Sequence, residues 1–325
     1  MKKTIKLSVK QRDNNKRIDV FLSEIIKEFT RSYIKKLIER KNLLINGQVI
    51  ERPSTKIKVF DSIKFSLENK ESNKLIPKKM KLNIIYEDKD ILLINKPKGL
   101  VVHPGAGNYY DTLANGLAYK YKNKLSDING DLRPGIVHRI DKETSGLLII
   151  AKNNFSHANL SKQFSNHSIK RKYLCLAWGV VRPLKGRIET LISRNTKNRQ
   201  LMAVSEIKGK KAITNYKTVK IFSLKDIPKI SLIECELETG RTHQIRVHLK
   251  YKRTSLIGDN QYGKKYKFKN LNKEFLEVLN KIYGQALHAK TLGFIHPSTN
   301  KWMTFNSNMP NDFKKMLNLL NKLDS

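Results

Sequence analysis

The chain is poor in cysteine and has no long apolar run. Its only cysteines, Cys175 and Cys235, lie far apart and form no CxxC pair. This scarcity argues against a disulfide framework and against a cysteine zinc site, and it predicts a reduced, cytoplasmic protein. No apolar run approaches the ~20 residues that a transmembrane helix needs. Residues 1–15 lack the apolar core of a signal peptide.

Acidic residues are also few. The 28 Asp and Glu residues face 65 Lys and Arg residues, so the formal net charge is +37. Part of this excess follows from a general abundance of Lys, Asn and Ile. The rest predicts a polyanionic partner. Nucleic acid is favoured over a membrane surface, because no long basic amphipathic helix with an aromatic face is present.

The N-terminal part of the chain, residues 1–67, has the pattern of a small α/β module. Apolar side chains recur at helical spacing over residues 18–29, and Thr30 is a suitable cap for a second helix. Residues 43–50 predict a hairpin with a type I′ turn, because an Asn-Gly pair separates two short apolar runs. A further strand is predicted over residues 59–67.

The remainder of the chain predicts a linker and one larger domain. Residues 68–81 are polar, charged and interrupted by a proline, which is typical of a linker. From residue 82 onward the pattern predicts an α+β domain. Residues 231–239 alternate between apolar and acidic side chains, as an antiparallel strand with one exposed face does.

The most informative stretch is a charged cluster that precedes a buried strand. Five of the six residues from 138 to 143 are charged or titratable, and residues 147–151 form an apolar run. A carboxylate at the entrance of a buried strand, here Asp141, is costly to desolvate unless a cation pairs with it. The alternative interpretation, a charged turn held by structural ion pairs, is the commoner one for an isolated loop of this kind.

Other residues predict little by themselves. Tyr173 follows a basic run and opens an apolar strand, where core packing is the usual role. His243 and His248 do not have the i, i+4 spacing of a helical metal pair, so no metal site is predicted. The glycine-containing loop 103–107 matches neither nucleotide-binding glycine motif, and no cofactor is predicted.

Residues 138–146, HRIDKETSG, resemble the HRLDxxTSG signature of the RluA-type pseudouridine synthases, which modify large-subunit ribosomal RNA. The elements over about residues 15–65 resemble the S4 RNA-binding module that precedes this enzyme in the same family. Within the family, segments 101–107 and 202–204 are most similar to the synthase D group. Further segments match the family in the correct order: 172–173, 240–248, 258–263, 287–289 and 296–297.

The resemblance implies an α+β fold. A small S4-like domain is expected over residues 1–67, a linker over 68–81, and a catalytic domain on a mixed, largely antiparallel sheet over 82–325. The implied reaction is isomerisation of uridines in 23S rRNA, in the helix 69 stem-loop, without a cofactor or metal. The expected partner is 23S rRNA, free or in pre-50S particles, rather than DNA or a membrane. The expected state is a cytoplasmic monomer.

The same resemblance implies three residues at the reaction centre. Asp141 would be the catalytic carboxylate, and Arg246 would be its ion-pair partner. Tyr173 would lie against the target base and help to remove the C5 proton. Whether Asp141 attacks the sugar, adds to the base or acts as a base is not implied.

Five further residues are expected to contact RNA. Arg139 would occupy the space that a flipped-out uridine leaves in the stack, and His138 beside it would also contact the substrate. In the N-terminal module, Arg31, Lys35 and Lys36 form the basic face that would contact the RNA backbone.

Two departures from the family pattern and three alternatives stand beside this interpretation. Ile140 replaces the usual leucine, and Asn260-Gln261 replaces a proline and an apolar residue, which is expected to loosen that loop.

The alternatives are a non-catalytic ribosome assembly protein, the same reaction on tRNA or another rRNA loop, and a hydrolase. A glycosidase usually needs two carboxylates, and Glu143 is the only local candidate for the second.

Overall fold

The computed structural model describes residues 3–26, 34–35, 38–39, 41, 43–67, 75–105, 107–122, 124–263, 266 and 272–324. The chain divides into two compact units, Met1–Lys74 and Leu75–Ser325. This division falls inside the predicted linker. The second unit begins before residue 82 because Leu75 packs against its core and the backbone N–H of Lys78 donates to the Asn115 carbonyl at 3.0 Å.

Among its described residues, the N-terminal unit contains a four-stranded antiparallel sheet and an α-helix, and residues 34–35 and 38–39 are also helical. In chain order its elements are β1 (Lys3–Ser8), a 3₁₀ turn (Gln11–Asp13), α1 (Ile18–Ile25), β2 (Leu43–Ile45), β3 (Gln48–Val49) and β4 (Ser62–Leu67). The strand order is β1-β4-β2-β3. Asn46 and Gly47 both have positive φ, 51° and 83°. Positive φ at both central residues is what the predicted type I′ turn requires.

Two predictions for this unit differ from the structure in extent. Helix α1 begins at Ile18 as predicted and ends at Ile25, and residues 27–30 lie outside the described residues. Strand β4 begins at Ser62 rather than at residue 59, because Phe60 has a left-handed φ of 67°. A strand does not accommodate that backbone conformation.

The second unit is built on one ten-stranded sheet. Its strands are β5 (Ile84–Glu87), β6 (Ile91–Lys96), β7 (Ser145–Ala151), β8 (Lys170–Trp178), β9 (Lys185–Arg194), β10 (Met202–Ser205), β11 (Lys210–Phe222), β12 (Ile230–Leu237), β13 (Leu287–Ile295) and β14 (Trp302–Asn306). Their order is β10-β9-β11-β12-β8-β13-β7-β6-β5, and β14 pairs with β13. Since β13 and β7 are parallel and the other pairs are antiparallel, the predicted mixed, largely antiparallel sheet is confirmed.

Helices pack on this sheet. They are α2 (Leu113–Tyr121), α3 (Asn154–Ser165), α4 (Gln244–Tyr251), α5 (Lys273–Asn280) and α6 (Asn311–Leu323). Helix α6 is amphipathic and buries Phe313, Met316 and Leu320. Across the described residues, no helix has the length and apolar character needed to span a bilayer.

Strand β7 positions the functional loop. Each of its residues is buried, which explains the continuous apolar run. At its start, a Cβ on Gly146 would lie 2.2 Å from the Ala289 carbonyl oxygen. Glycine is therefore needed where β7 meets β13. The loop that carries Asp141 ends at this tightly packed point of the sheet.

Candidate active site

A cleft of about 560 Å³ opens beside the start of β7. Its walls come from the loop before β7, the end of α3, the start of β8 and the beginning of α4. The charged and phenolic side chains that line it are Arg139, Asp141, Arg171, Tyr173, Arg241 and Arg246. The cleft therefore brings together residues that are remote from one another in the sequence.

Asp141 lies beside Arg246 in this cleft. The Nη1 group of Arg246 donates to Oδ2 of Asp141 at 3.1 Å, across a separation of 105 residues. The Arg246 side chain is 6% exposed, whereas that of Asp141 is 19% exposed. A nearly buried guanidinium thus accompanies a carboxylate that still reaches the open cleft, which is the juxtaposition that the family resemblance implies.

A second carboxylate, which the sequence analysis did not single out, holds Arg246 in place. Asp259 is buried and accepts hydrogen bonds from Nε of Arg246 at 2.7 Å and from Nη2 at 2.9 Å. Burial by itself raises the pKa of Asp259, but the hydrogen bonds and charge of Arg246 outweigh it and hold that pKa below its usual value. Burial likewise lowers the pKa of Arg246, and the paired carboxylates more than offset this.

The loop after Asp259 is tied to the same guanidinium. Oε1 of Gln261 accepts from Nη2 of Arg246 at 2.8 Å, and the backbone N–H groups of Gln261 and Tyr262 each donate to Asp259 at 3.0 Å. The departure at Asn260-Gln261 therefore adds a hydrogen bond, contrary to the expected loosening. The Asp259 signal was present in the sequence as part of the 258–263 match, but without an assigned role.

Tyr262 and His243 complete the support of Arg246. The guanidinium lies 4.8 Å from the centroid of the Tyr262 ring, within the range of a cation–π contact. The Tyr262 hydroxyl accepts from the backbone N–H of Met202 and lies 2.8 Å from Nδ1 of His243. His243 precedes α4 with a φ of 56°, and the helix begins at Gln244.

Tyr173 lies on β8 with its side chain toward the cleft. The residue is 7% exposed, and its hydroxyl makes no hydrogen bond to another residue of the described ranges. Burial raises the pKa of Tyr173, and the negative charge of Asp141 adds to this effect against the opposing charge of Arg171. The phenol is therefore protonated near neutral pH.

Arg139 and His138 have different surroundings. The exposed Arg139 donates from Nη1 to Nε2 of His103 at 3.0 Å, and burial lowers the pKa of His103, which keeps this acceptor neutral. The ring of His138 stacks on Phe164 at 4.6 Å, and its Nε2 accepts from the Ile149 N–H. Burial lowers the pKa of His138 to about 3. These contacts anchor the segment that leads to Asp141.

The predicted basic face of the N-terminal unit is only partly described. Lys35 is exposed, and its ammonium lies 3.7 Å from a carboxylate oxygen of Glu39. Arg31 and Lys36 lie outside the described residues.

One cluster away from the cleft has the composition of a metal site. Ligand atoms of Asp88, Asp90 and His296 lie within 4.8 Å of one another. However, Nδ1 of His296 accepts backbone N–H groups from Ser298 and Thr299, so Nε2 carries the proton that it donates to Asp88 at 2.9 Å. These hydrogen bonds orient the His296 ring against Asp88.

Comparison with known families agrees with both units. The profile of the RNA pseudouridylate synthase family matches residues 90–251, and that of the S4 domain matches residues 16–63. The first match contains Asp141, Tyr173 and Arg246.

Individual relatives extend the similarity over almost the entire chain. The chain is 42% identical to the ribosomal large subunit pseudouridine synthase D of Zymomonas mobilis, covering 94% of this chain and 93% of the relative. It is 38% identical to an uncharacterized RNA pseudouridine synthase of Bacillus subtilis, with 98% of each covered. The solved structure of human RNA pseudouridylate synthase domain containing 4 has a TM-score of 0.55 at 22% identity, and covers 74% of this chain and 93% of its own.

Proposed function

Because this chain belongs to the RNA pseudouridine synthase family and carries an S4 domain, we propose that it isomerises specific uridines of 23S rRNA to pseudouridine, with Asp141 as the catalytic carboxylate. The proposed target is the helix 69 stem-loop, in free RNA or in pre-50S particles, and the proposed acting form is a monomer. The target rests on the resemblance to the synthase D group and on relatives named for the large ribosomal subunit.

The observation that carries the proposed role of Asp141 is its position between a buried cation and an open cleft. The reaction breaks the N1–C1′ bond of uridine, turns the base and joins it again through C5, with no net oxidation or reduction. A carboxylate can stabilise or bond to the group that this cleavage leaves. Arg246 at 3.1 Å supplies the counter-charge that Asp141 needs at the entrance of a buried strand, and Asp259 orients that guanidinium from behind.

Tyr173 and Arg139 receive supporting roles. In our proposal, Tyr173 stacks on the target base and assists proton removal from C5. Arg139 enters the RNA stack and occupies the space that the flipped uridine leaves. Flipping the uridine out of a loop costs only a few kcal/mol. His138, which also lines the cleft, contacts the substrate beside Arg139, and its stacking on Phe164 holds the segment that carries both residues.

The decisive experiment replaces Asp141 by asparagine. We expect pseudouridine in the 23S stem-loop to disappear while the RNA dissociation constant changes little, since Asn keeps the size of the side chain and removes its charge. Asp131→Asn, which alters an exposed carboxylate, is the matched control and is expected to retain full activity. An active Asp141→Asn protein would refute the role.

Mapping pseudouridine in a deletion strain complemented with this chain separates the alternatives. Pseudouridine restored in 23S rRNA supports the proposal, whereas restoration in tRNA alone assigns the same reaction to another substrate. RNA binding with no new pseudouridine would indicate an assembly protein. Release of free uracil would indicate a hydrolase.

A comparison of Tyr173→Phe with Tyr173→Leu tests the hydroxyl. If the phenol takes part in proton transfer, Phe keeps the stacking surface and loses activity by roughly a hundredfold, and Leu loses more. Equal losses in the two variants would indicate packing alone. Thermal unfolding of both variants reports any general loss of structure.

A further inference from the structure

Arg171 is a buried cation, and most of its hydrogen-bond donors have no partner among the described residues. The described part of the second unit buries three Lys or Arg side chains, Lys96, Arg171 and Arg246. Arg246 bonds to two carboxylates, and the Lys96 ammonium donates to three carbonyl oxygens. Among the described residues, Arg171 donates only from Nη2, to the carbonyls of Leu237 at 3.3 Å and Glu238 at 2.7 Å.

The remaining donors of Arg171 have no partner among the described residues. Its Nε is buried without a hydrogen bond. Its hydrogen bonds to the described residues come from Nη2 and not from Nη1. The nearby Glu238 carboxylate instead accepts from Arg187 and Asn215. An arginine does not lose its charge in a protein, so a buried one without a counter-charge is unfavourable until a ligand supplies it.

The location of Arg171 connects it to the reaction centre. It precedes Tyr173 by two residues on β8, so both side chains lie on the same face of the strand, about 7 Å apart along it. Its guanidinium lies 5.5 Å from the Phe164 ring centroid at the wall of the cleft. A Cβ on Gly240 would approach Nη1 to 2.7 Å, so glycine at this position leaves room for the guanidinium.

The charge of the cleft indicates what occupies it. Its described lining contains four arginines, Arg139, Arg171, Arg241 and Arg246, whereas Asp141 is its single carboxylate. Asp259 behind the wall compensates Arg246, which leaves Arg171 as the buried member without a carboxylate partner among the described residues. An anion is therefore the ligand that this wall of the cleft is built to accept.

We propose that Arg171 binds a phosphodiester group of the RNA immediately beside the uridine that enters the cleft. This inference rests on the proposed RNA substrate and adds a specific contact to it. Arg171 holds the backbone of the flipped nucleotide, while Tyr173 on the same strand contacts its base. The phosphate supplies the counter-charge that no described residue provides.

The experiment couples a change in the protein with a change in the RNA. Dissociation constants are measured for 23S stem-loop RNAs in which a single phosphate, on either side of the target uridine, is replaced by an uncharged methylphosphonate. All three proteins carry Asp141→Asn to prevent turnover. One has no further change, the second also carries Arg171→Gln, and the third also carries Lys170→Gln. Lys170 is the matched control because it is an exposed cation on the same strand.

The expected result is coupling at one phosphate. At that position the methylphosphonate weakens binding roughly tenfold when Arg171 is present, and it has no further effect in Arg171→Gln. Lys170→Gln retains the full methylphosphonate effect. Arg171→Lys, which keeps the charge, recovers part of the coupling.

Equal methylphosphonate effects with and without Arg171 at every scanned phosphate would overturn the inference and leave Arg171 a packing role. The methylphosphonate series on the protein that retains Arg171 changes only the RNA. It therefore gives a result even if an Arg171 variant folds poorly. If no methylphosphonate beside the target uridine weakens binding to the protein that retains Arg171, the proposed contact is absent. Pseudouridine formation by the wild-type protein is scored separately, so failure of the proposed reaction is distinguished from failure of this contact.

Discussion

The ion pairs of the N-terminal unit and those of the cleft have similar distances and very different surroundings. In the N-terminal unit, Lys41 and Glu51 meet at 2.8 Å with side chains 67% and 61% exposed. In the cleft, Arg246 and Asp259 meet at 2.7 Å with side chains 6% and 0% exposed. Water screens the first pair, whereas the second has no solvent to replace a lost partner. Distance alone therefore does not indicate which pair the fold depends on.

Removing the buried partner tests this comparison most severely. We expect Asp259→Asn to lower the free energy of unfolding by about 3–5 kcal/mol, since the buried Arg246 would lose its bidentate counter-charge. Denaturant unfolding measures the change, and pseudouridine formation should fall with it because Arg246 is no longer oriented toward Asp141. A loss below about 1 kcal/mol would place this pair with the exposed ones.

Acid provides a second test of the same pair. The pKa of Asp259 is held below its usual value in the folded protein. Its stabilising contribution is therefore complete above the unfolded-state pKa of ~3.9 and is lost as pH falls through the folded-state value. The stability difference between wild type and Asp259→Asn should shrink below about pH 4. A difference that stays constant into strong acid would contradict the proposed linkage.

Lys96 offers an intermediate case, because its partners are carbonyls rather than carboxylates. Its ammonium donates to the carbonyls of Pro97 and Leu100 at 2.8 Å and to that of Lys142, next to Asp141, at 3.0 Å. We expect Lys96→Met to cost about 2 kcal/mol of stability and to lower activity, because carbonyls lose their donor and the Asp141 turn loses an anchor. Unfolding and activity assays measure both effects.

Lys120→Met, which replaces an exposed lysine of α2, is the control for Lys96→Met and should change neither quantity. If Lys96→Met retains full stability and activity, the three carbonyl contacts do not hold the turn.

The smallest effect is expected for the exposed pair. Lys41→Gln should leave the midpoint of thermal unfolding within the error of the measurement, and any small change should vanish at high salt. A large, salt-independent loss would show that exposure is a poor guide to the strength of this pair. The contrast with Asp259→Asn would then disappear.

Much of the fold could be predicted from local patterns. Helix α1, the Asn46-Gly47 hairpin, the buried β7 and the amphipathic α6 all follow from residue spacing, because each is specified by neighbours within a few positions. Strand β13 is not evident from residue spacing, because its short apolar pieces fit either a strand or a helix, and only its pairing with β7 and β8 defines it.

The cleft likewise contains some residues that the sequence indicated and others that it did not. The cluster before β7 marked Asp141 as an acid that needs a cation, and the family resemblance indicated Arg246 as that cation. The support by Asp259, the Gln261 hydrogen bond and the contact of Arg139 with His103 had no signal in residue spacing.

The sequence by itself determined where most of the helices and strands lie, that the partner is anionic and that an acid stands at the entrance of a buried strand. These properties depend on composition and on residues close together in the chain. Only the tertiary structure decided that Asp259 also pairs with Arg246, and that Arg171 has no carboxylate partner among the described residues. The reason is that burial and pairing depend on the order of strands in the sheet, which brings together side chains 105 residues apart.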